Sequence, residues 1–315
     1  MTTSTTAEES LPLSRGLRAI FGLQRALRAL HLMPSAETLP TRMPLAKRKA
    51  SKPAPWMLLP ATAEIATEEA TSASGVPLRV YRPAGAASGT TILYIHGGGF
   101  VLGSPDSCDW LCRELAAHGH AVVSVDYRLA PECPYPGPLD DALSGLHWLD
   151  ENREQLGTQR VVVAGDSGGG NLAAALCLRV AQKGGPHIDQ QVLIYPALDA
   201  TGDSVVPTKR FAGLTPEDIV AAGRHYVGDG DPRDPLVSPL LAPDLSGLPP
   251  AVIQTAEHDV LRDEGRRYAT RLEQAGVSVF FRQYPGQPHG FYSTPKLCGP
   301  QALRALDDLV RCLAG

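Results

Sequence analysis

Short apolar runs alternate with segments of helical periodicity over most of the chain beyond residue 60. Runs rich in β-branched residues predict buried strands over residues 91–95, 121–125, 160–164, 191–195, 251–255 and 277–284. Helical spacing of apolar residues predicts helices near 107–118, 138–152, 169–182, 262–275 and 299–313. Near-continuous apolar strands that alternate with helices are typical of a parallel sheet covered on both faces. The pattern therefore predicts an α/β fold with a mostly parallel central sheet flanked by helices.

Two regions depart from this alternation. Residues 64–70 and 76–82, joined through Ser74-Gly75, predict an antiparallel pair of strands at one edge of the sheet. The segment 199–250 separates two predicted strands, is rich in proline, glycine and aspartate, and contains one helical run near 216–226. A segment of this length inside a compact domain is typical of a lid or an insertion.

The N-terminal region has its own pattern. Residues 14–32 place apolar side chains at helical spacing, with Arg15, Arg18, Arg25 and Arg28 on much of the remaining surface. A basic amphipathic helix can lie on a membrane surface, but helices that pack on the body of their own protein look the same, and we favour packing. Residues 33–60 are interrupted by prolines and predict a loop. We expect an N-terminal part of a cap with a linker (1–60), an α/β core in two parts (61–198 and 236–315) and a cap insertion (199–235).

Composition excludes several classes of protein. The 315 residues are 43% hydrophobic and 20% charged, as in ordinary globular proteins. A net charge of -4 provides no basic surface for nucleic acid, and no apolar stretch approaches the ~18 residues of a membrane span. The first residues lack the features of a secretory signal, and six cysteines are too few for a disulfide framework. We therefore expect a cytoplasmic, reduced protein.

One cluster of potential metal ligands is present in the sequence. Cys108 and Cys112, followed by His118 and His120, could be interpreted as a metal site. The simpler interpretation is an i, i+4 pair on one helix face, because no second ligand pair completes the set. We expect no metal.

The strongest local motif is Gly165-Asp166-Ser167-Gly168-Gly169. It follows a predicted strand and opens a predicted helix, which is the context that gives G-x-S-x-G its meaning. Glycines on both sides of the serine let strand and helix approach without a Cβ clash. Ser167 is therefore predicted to stand exposed above the carboxyl edge of the sheet.

A second motif, His96-Gly97-Gly98-Gly99-Phe100, directly follows another predicted strand. Three consecutive glycines allow backbone N–H groups to converge on one point, as the stabilisation of a tetrahedral oxyanion requires. Two such motifs in this order, each after its own strand, are much more specific than either alone.

The order of residues along the chain predicts the partners of Ser167. In folds where a G-x-S-x-G turn carries the nucleophilic serine, an acid follows the serine in the sequence and a histidine follows the acid. Asp259 comes just past the strand at 251–255, and His289 lies downstream in a loop rich in glycine and proline. We therefore predict Ser167 as nucleophile, His289 as base and Asp259 as the orienting acid, with Asp199, Glu257 and Asp263 as weaker candidates for the acid.

The sequence resembles the hormone-sensitive-lipase-like branch of the α/β-hydrolases, the bacterial family IV esterases. The likeness is carried by HGGGF at 96–100, DYRLAPE at 126–132, GDSGGGN at 165–171, HDVLRDE at 258–264 and HGF at 289–291. One departure is Gly168, where the family more often has alanine. The likeness covers the catalytic body, whereas residues 1–60 and 199–235 match only as the variable cap.

The resemblance implies roles for further residues. Backbone N–H groups of Gly97, Gly98 and Gly168 are expected to form the oxyanion hole, with His96, Gly99 and Asp166 supporting the loop. Side chains expected to shape the substrate pocket are Phe100, Tyr195, Phe211 and Leu214, with Phe21 and Tyr226 also in the cap.

The expected activity is hydrolysis of short- to medium-chain acyl esters without a cofactor. Acyl transfer and amide cleavage proceed through the same acyl-enzyme, and the sequence does not separate them from hydrolysis. A non-catalytic small-molecule receptor on this fold is disfavoured because all three triad residues are present. The last strand, near 277–284, could pair between two subunits of a homodimer.

Overall fold

The computed structural model describes residues 11–30, 33–205 and 213–314. Its centre is an eight-stranded sheet in the order β1-β2-β4-β3-β5-β6-β7-β8. The strands are β1 (Thr67–Thr71), β2 (Pro77–Tyr81), β3 (Thr90–Ile95), β4 (Ala121–Val125), β5 (Arg160–Asp166), β6 (Gln190–Ile194), β7 (Ala251–His258) and β8 (Val279–Pro288). β2 pairs antiparallel with both β1 and β4, whereas all other neighbours are parallel.

The sheet confirms the predicted fold class and the antiparallel pair at its edge. The last strand differs most from its prediction, since it begins and ends later than 277–284. A register irregularity between Ala256 and His258 lets His258 pair with Pro288, which extends both strands toward the carboxyl edge. β8 forms the other edge of the sheet, the position that pairing between subunits would need; that pairing stays a prediction.

Helices cover both faces of the sheet. They are α1 (Arg15–Ala29), α2 (Leu39–Arg42), α3 (Leu45–Lys49), α4 (Asp109–Ala117), α5 (Gly137–Glu151), α6 (Arg153–Leu156), α7 (Gly168–Lys183), α8 (Pro216–Val227), α9 (Arg262–Gln274), α10 (Pro295–Cys298) and α11 (Pro300–Ala314). Leu93 of β3 joins the apolar cluster under α5, α7 and α9, whereas its neighbour Ile92 joins the cluster under α4 and α11. Within the described ranges, every helix is too short or too polar to cross a membrane.

The N-terminal region is more ordered than the sequence predicts. Residues 33–60, predicted as a loop, contain the short helices α2 and α3. Helices this short do not form on their own, so contacts elsewhere in the fold must hold them. α1 buries Leu17 against the body, and its Arg28 pairs with Asp218 of α8 at 2.5 Å.

Arg48 of α3 makes hydrogen bonds to distant parts of the chain that help to hold this region in place. Its side chain is fully buried and donates to the carbonyl oxygens of Val101 (2.8 Å) and Ala130 (2.9 Å). It also pairs with Glu132, whose side chain remains 45% exposed. Arg48 therefore fixes α3 to the two segments that follow β3 and β4.

We predict that Arg48→Met destabilises the protein by about 2–4 kcal/mol, because two buried carbonyl groups lose their donor. Urea unfolding followed by tryptophan fluorescence measures the change. Glu132→Gln is the matched control and should cost less than about 1 kcal/mol, because the carboxylate is half-exposed. Equal losses in both variants would contradict the assignment of the stability to the buried carbonyl contacts.

Candidate active site

Ser167 occupies a sharp turn between β5 and α7. Its backbone is strained, with φ 55° and ψ -120°, a conformation that non-glycine residues rarely adopt. The turn is possible because α7 lies directly on the end of β3, where a Cβ on Gly169 would collide with the carbonyl oxygen of Ile95. A Cβ on Gly165 would likewise collide with the Gly169 carbonyl group. These glycines place the serine hydroxyl at the carboxyl edge of the sheet.

Three side chains from three loops meet at this edge. His289 Nε2 lies 2.9 Å from Ser167 Oγ, and His289 Nδ1 lies 2.8 Å from Asp259 Oδ2. Asp259 follows β7 and His289 follows β8, so neighbouring parallel strands bring these two side chains together. Asp259 is buried and its other oxygen accepts the Leu261 N–H at 2.9 Å, which fixes the carboxylate toward the imidazole.

The alternative acids have other partners. Asp199 accepts hydrogen bonds from the Thr201 N–H and hydroxyl at 3.0 and 2.6 Å. Glu257 accepts the Gly286 N–H at 2.7 Å, and Asp263 pairs with Arg262 at 2.7 Å. Asp259 is thus the candidate that the fold brings to His289.

The glycine loop after β3 lies beside Ser167, with one correction to the sequence-based expectation. The Gly97 N–H donates to Asp166 Oδ1 at 2.9 Å, so it is not available to an oxyanion. The prediction of Gly97 as an oxyanion donor is therefore wrong. The backbone nitrogens next to Gly168 are those of Phe100 and of Gly99, which was expected only to support the loop: a Cβ on Gly168 would lie 3.2 and 3.4 Å from them.

His96 and Asp166 hold this loop from beneath. His96 is fully buried, stacks on Tyr127 with ring centroids 4.2 Å apart, and contacts the Gly97 carbonyl oxygen through Nδ1 at 2.8 Å. Burial lowers the pKa of His96 to about 4, so the ring is neutral near pH 7. Asp166 Oδ1 also accepts the Tyr94 hydroxyl at 3.0 Å. Burial raises the pKa of Asp166, although these hydrogen bonds oppose the shift.

A small cavity of about 20 Å³ adjoins Ser167. Its walls include Phe100, one of the predicted pocket residues, which stacks on Tyr226 at 3.9 Å. The helix α8 contributes Ile219, Ala222 and Gly223. The sequence analysis missed these three residues because helical periodicity does not indicate which turn of α8 lies over the serine.

The other predicted pocket residues lie elsewhere. Tyr195 packs edge-on against the His289 ring at 4.8 Å and lines a separate cleft of about 450 Å³. Leu214 is half-buried and is not among the described residues around the small cavity. Phe211 lies outside the residues that the structure describes.

The Cys/His cluster of the sequence does not converge. Cys108 and Cys112 lie together with sulfur atoms 3.7 Å apart, whereas His120 contacts the Ser88 hydroxyl at 2.9 Å. His118 contacts the Glu114 carbonyl oxygen through Nδ1 at 2.7 Å. In the described part of the chain, no three His, Cys, Asp or Glu side chains are grouped as metal ligands would be.

Known proteins share this arrangement of sequence and fold. A family model described as alpha/beta hydrolase fold matches residues 92–293. Carboxylic ester hydrolase LipN of Mycobacterium tuberculosis is 40% identical over 247 residues, which span 73% of this chain and 64% of that protein. The ethyl acetate hydrolase of Pseudomonas putida is 41% identical over 228 residues, or 69% of this chain and 71% of that protein.

The likeness extends to solved structures. A hyperthermophilic esterase from the archaeon Pyrobaculum calidifontis superposes with a TM-score of 0.79 at 35% identity, covering 96% of this chain and 98% of that one. The family model matches more than half of the sequence, and the relatives are about 40% identical. Both findings agree with the fold described above. The chain belongs to the hormone-sensitive-lipase-like branch of the α/β-hydrolases, a branch of carboxylic ester hydrolases.

Proposed function

We propose that this chain is a cytoplasmic serine carboxylesterase that hydrolyses short- to medium-chain acyl esters. The observation that carries the proposal is the continuous contact from Ser167 Oγ to His289 Nε2 (2.9 Å) and from His289 Nδ1 to Asp259 Oδ2 (2.8 Å). A hydroxyl in contact with an imidazole that is itself held by a carboxylate is the arrangement that activates a serine nucleophile. We further propose that residues 1–60 and 199–235 form the cap over this site.

Acylation follows from this geometry. His289 Nε2 removes the Ser167 proton as Oγ attacks the carbonyl carbon of the ester, and the buried Asp259 carboxylate stabilises the imidazolium that forms. The same Nε2–H then protonates the alkoxy oxygen as the bond from the carbonyl carbon to that oxygen breaks. The alcohol leaves and an acyl-serine ester remains.

The developing oxyanion needs donors that have no other acceptor. We assign this role to the backbone N–H groups of Gly98, Gly99 and Gly168, because Gly97 already donates to Asp166. Gly98 has φ 114° and Gly99 has φ 58°, so both adopt conformations that favour glycine. Asp166 thus acts as a positioning residue, holding the first glycine so that the next two face the serine.

Deacylation repeats these steps with water as the nucleophile. His289 removes a proton from the water as its oxygen attacks the acyl carbon, and then returns the proton to Ser167 Oγ. An amine or alcohol acceptor would yield an amide or a transferred ester at this stage, so the acceptor alone separates hydrolysis from acyl transfer. The names of both curated relatives favour hydrolysis for this chain.

The small cavity indicates which end of the substrate is most restricted. The leaving oxygen must lie near His289 Nε2 to receive its proton, and His289 is not among the described residues around the cavity. The cavity therefore takes the acyl group. At about 20 Å³ it is far smaller than the cleft of about 450 Å³ that Tyr195 lines, so we propose that the preference lies at the acetyl end of the short-chain range.

We predict that Ser167→Ala lowers kcat/KM for p-nitrophenyl acetate by about 10⁴–10⁶-fold, because no other group supplies the nucleophile. Initial rates of p-nitrophenolate release measure the change. Ser246→Ala, an exposed serine that contacts Asp244, is the matched control and should retain full activity. Residual turnover above about one hundredth of wild type in the Ser167 variant would contradict the assignment.

We predict that Ile219→Ala shifts acyl preference toward longer chains, because it shortens the largest side chain that α8 contributes to the cavity. The ratio of kcat/KM for the p-nitrophenyl hexanoate and acetate esters should rise about tenfold. Val220→Ala removes a neighbouring branched side chain that packs near Gly202 instead, and should leave the ratio unchanged. Equal ratios in wild type and the Ile219 variant would show that the cavity does not hold the acyl group.

A further inference from the structure

From Ala19 onward, the outward face of α1 carries no polar side chain along its centre. We call this face the outer stripe; its members are Ala19, Gly22, Leu23, Ala26, Ala29 and Leu30. Leu23 is 61% exposed and Leu30, the residue that caps the helix, is 66% exposed. The two leucines are seven residues apart and therefore share one line along the helix. Two large apolar side chains are thus presented outward on one helix.

The apolar groups on the opposite face of α1 are already used by the body. Leu17 is buried, and Phe21 packs where a Cβ on Gly213 would collide with its ring. The residues of the outer stripe are therefore different from those through which α1 packs on the body.

Arginines border the outer stripe. Arg18 and Arg25 precede Ala19 and Ala26 and lie along one edge of it, and Arg15 lies one turn before Ala19. All three are exposed and have no ion-pair partner among the described residues. The whole chain has a net charge of -4, so this is a local excess of positive charge on an acidic protein.

We propose that the outer stripe docks α1 on an anionic lipid surface. An apolar stripe bordered by basic side chains is the arrangement with which helices lie in a membrane interface, the leucines inserting among acyl chains while arginines meet lipid phosphates. A second copy of the chain fits less well, because two stripes face to face would bring six unpaired arginines together without a carboxylate between them.

Docking in this orientation would place the cap against the lipid. α1 is joined to α8 by the Arg28–Asp218 ion pair, and Asp218 also accepts the Ala36 N–H at 3.2 Å. α8 contributes Ile219 to the cavity beside Ser167. The outer stripe is therefore on a helix that an ion pair joins to α8, and α8 lines the cavity beside Ser167.

Sedimentation of the full chain with vesicles tests the proposal. We expect it to bind vesicles of phosphatidylglycerol and phosphatidylcholine in 50 mM salt, to bind pure phosphatidylcholine much less, and to be released in 500 mM salt. Each of Arg18→Gln and Arg25→Gln should weaken partitioning about fivefold. The double variant Leu23→Gln/Leu30→Gln should weaken it at least tenfold, because the groups that insert are lost.

Matched controls separate the stripe from general surface effects. Leu303→Gln removes an exposed leucine from α11, and Arg233→Gln removes an exposed arginine that pairs with Asp203; neither should change binding. Hydrolysis of soluble p-nitrophenyl acetate should be unchanged in every variant, which shows that each is folded. Absence of binding to anionic vesicles by the wild type, or binding that the leucine double variant retains, would overturn the proposal. A wild-type dimer that this double variant converts to monomer would assign the stripe to a second copy and would also overturn it.

Discussion

The direct contact of one backbone with another at the end of β3 is the constraint on which the site depends. α7 lies so close to the end of β3 that residue 169 has no room for a Cβ, and so close to β5 that residue 165 has none either. This approach forces the turn at Ser167 into its strained conformation and brings the glycine loop after β3 beside the serine. The packing of α7 on these strand ends therefore positions both Ser167 and the glycine loop, and the parallel register of β3 with β5 keeps the two ends side by side.

Buried carboxyl groups extend this positioning into the surrounding loops. Asp166 holds the glycine loop through the Gly97 N–H. Glu264 is fully buried on α9 and accepts hydrogen bonds from the N–H groups of Leu198 and Asp199 at 2.6 and 3.1 Å, where the chain leaves β6. Burial raises the pKa of Glu264 well above its usual value, although the hydrogen bonds from these two N–H groups oppose the shift. Acids near the site therefore serve different purposes: Asp259 faces the imidazole, and the others fix backbone.

The features that the sequence predicts correctly are those that depend on a local pattern of residues. Apolar runs located the strands of the sheet, and the order of serine, acid and histidine after particular strands selected the three residues that the structure brings together. Gly97 could not be assigned correctly in this way. Whether its N–H faces an oxyanion or a carboxylate depends on where Asp166, on a different strand, directs its side chain. The helices within 33–60 were missed for a related reason, since the buried Arg48 stabilises them through carbonyl groups distant in sequence.

α1 shows a further limit of pattern reasoning. Its periodicity is compatible both with packing on the body and with a membrane surface, and the sequence analysis favours packing. In the structure Leu17 faces inward while Leu23 and Leu30 face outward, so apolar residues occupy two opposite lines of the same helix. A periodicity analysis that seeks one face merges the two lines into a single broad stripe. In the packed structure the inner line lies against the body, whereas the outer line and its arginines stay exposed, and this exposed surface is the one we propose for an anionic lipid.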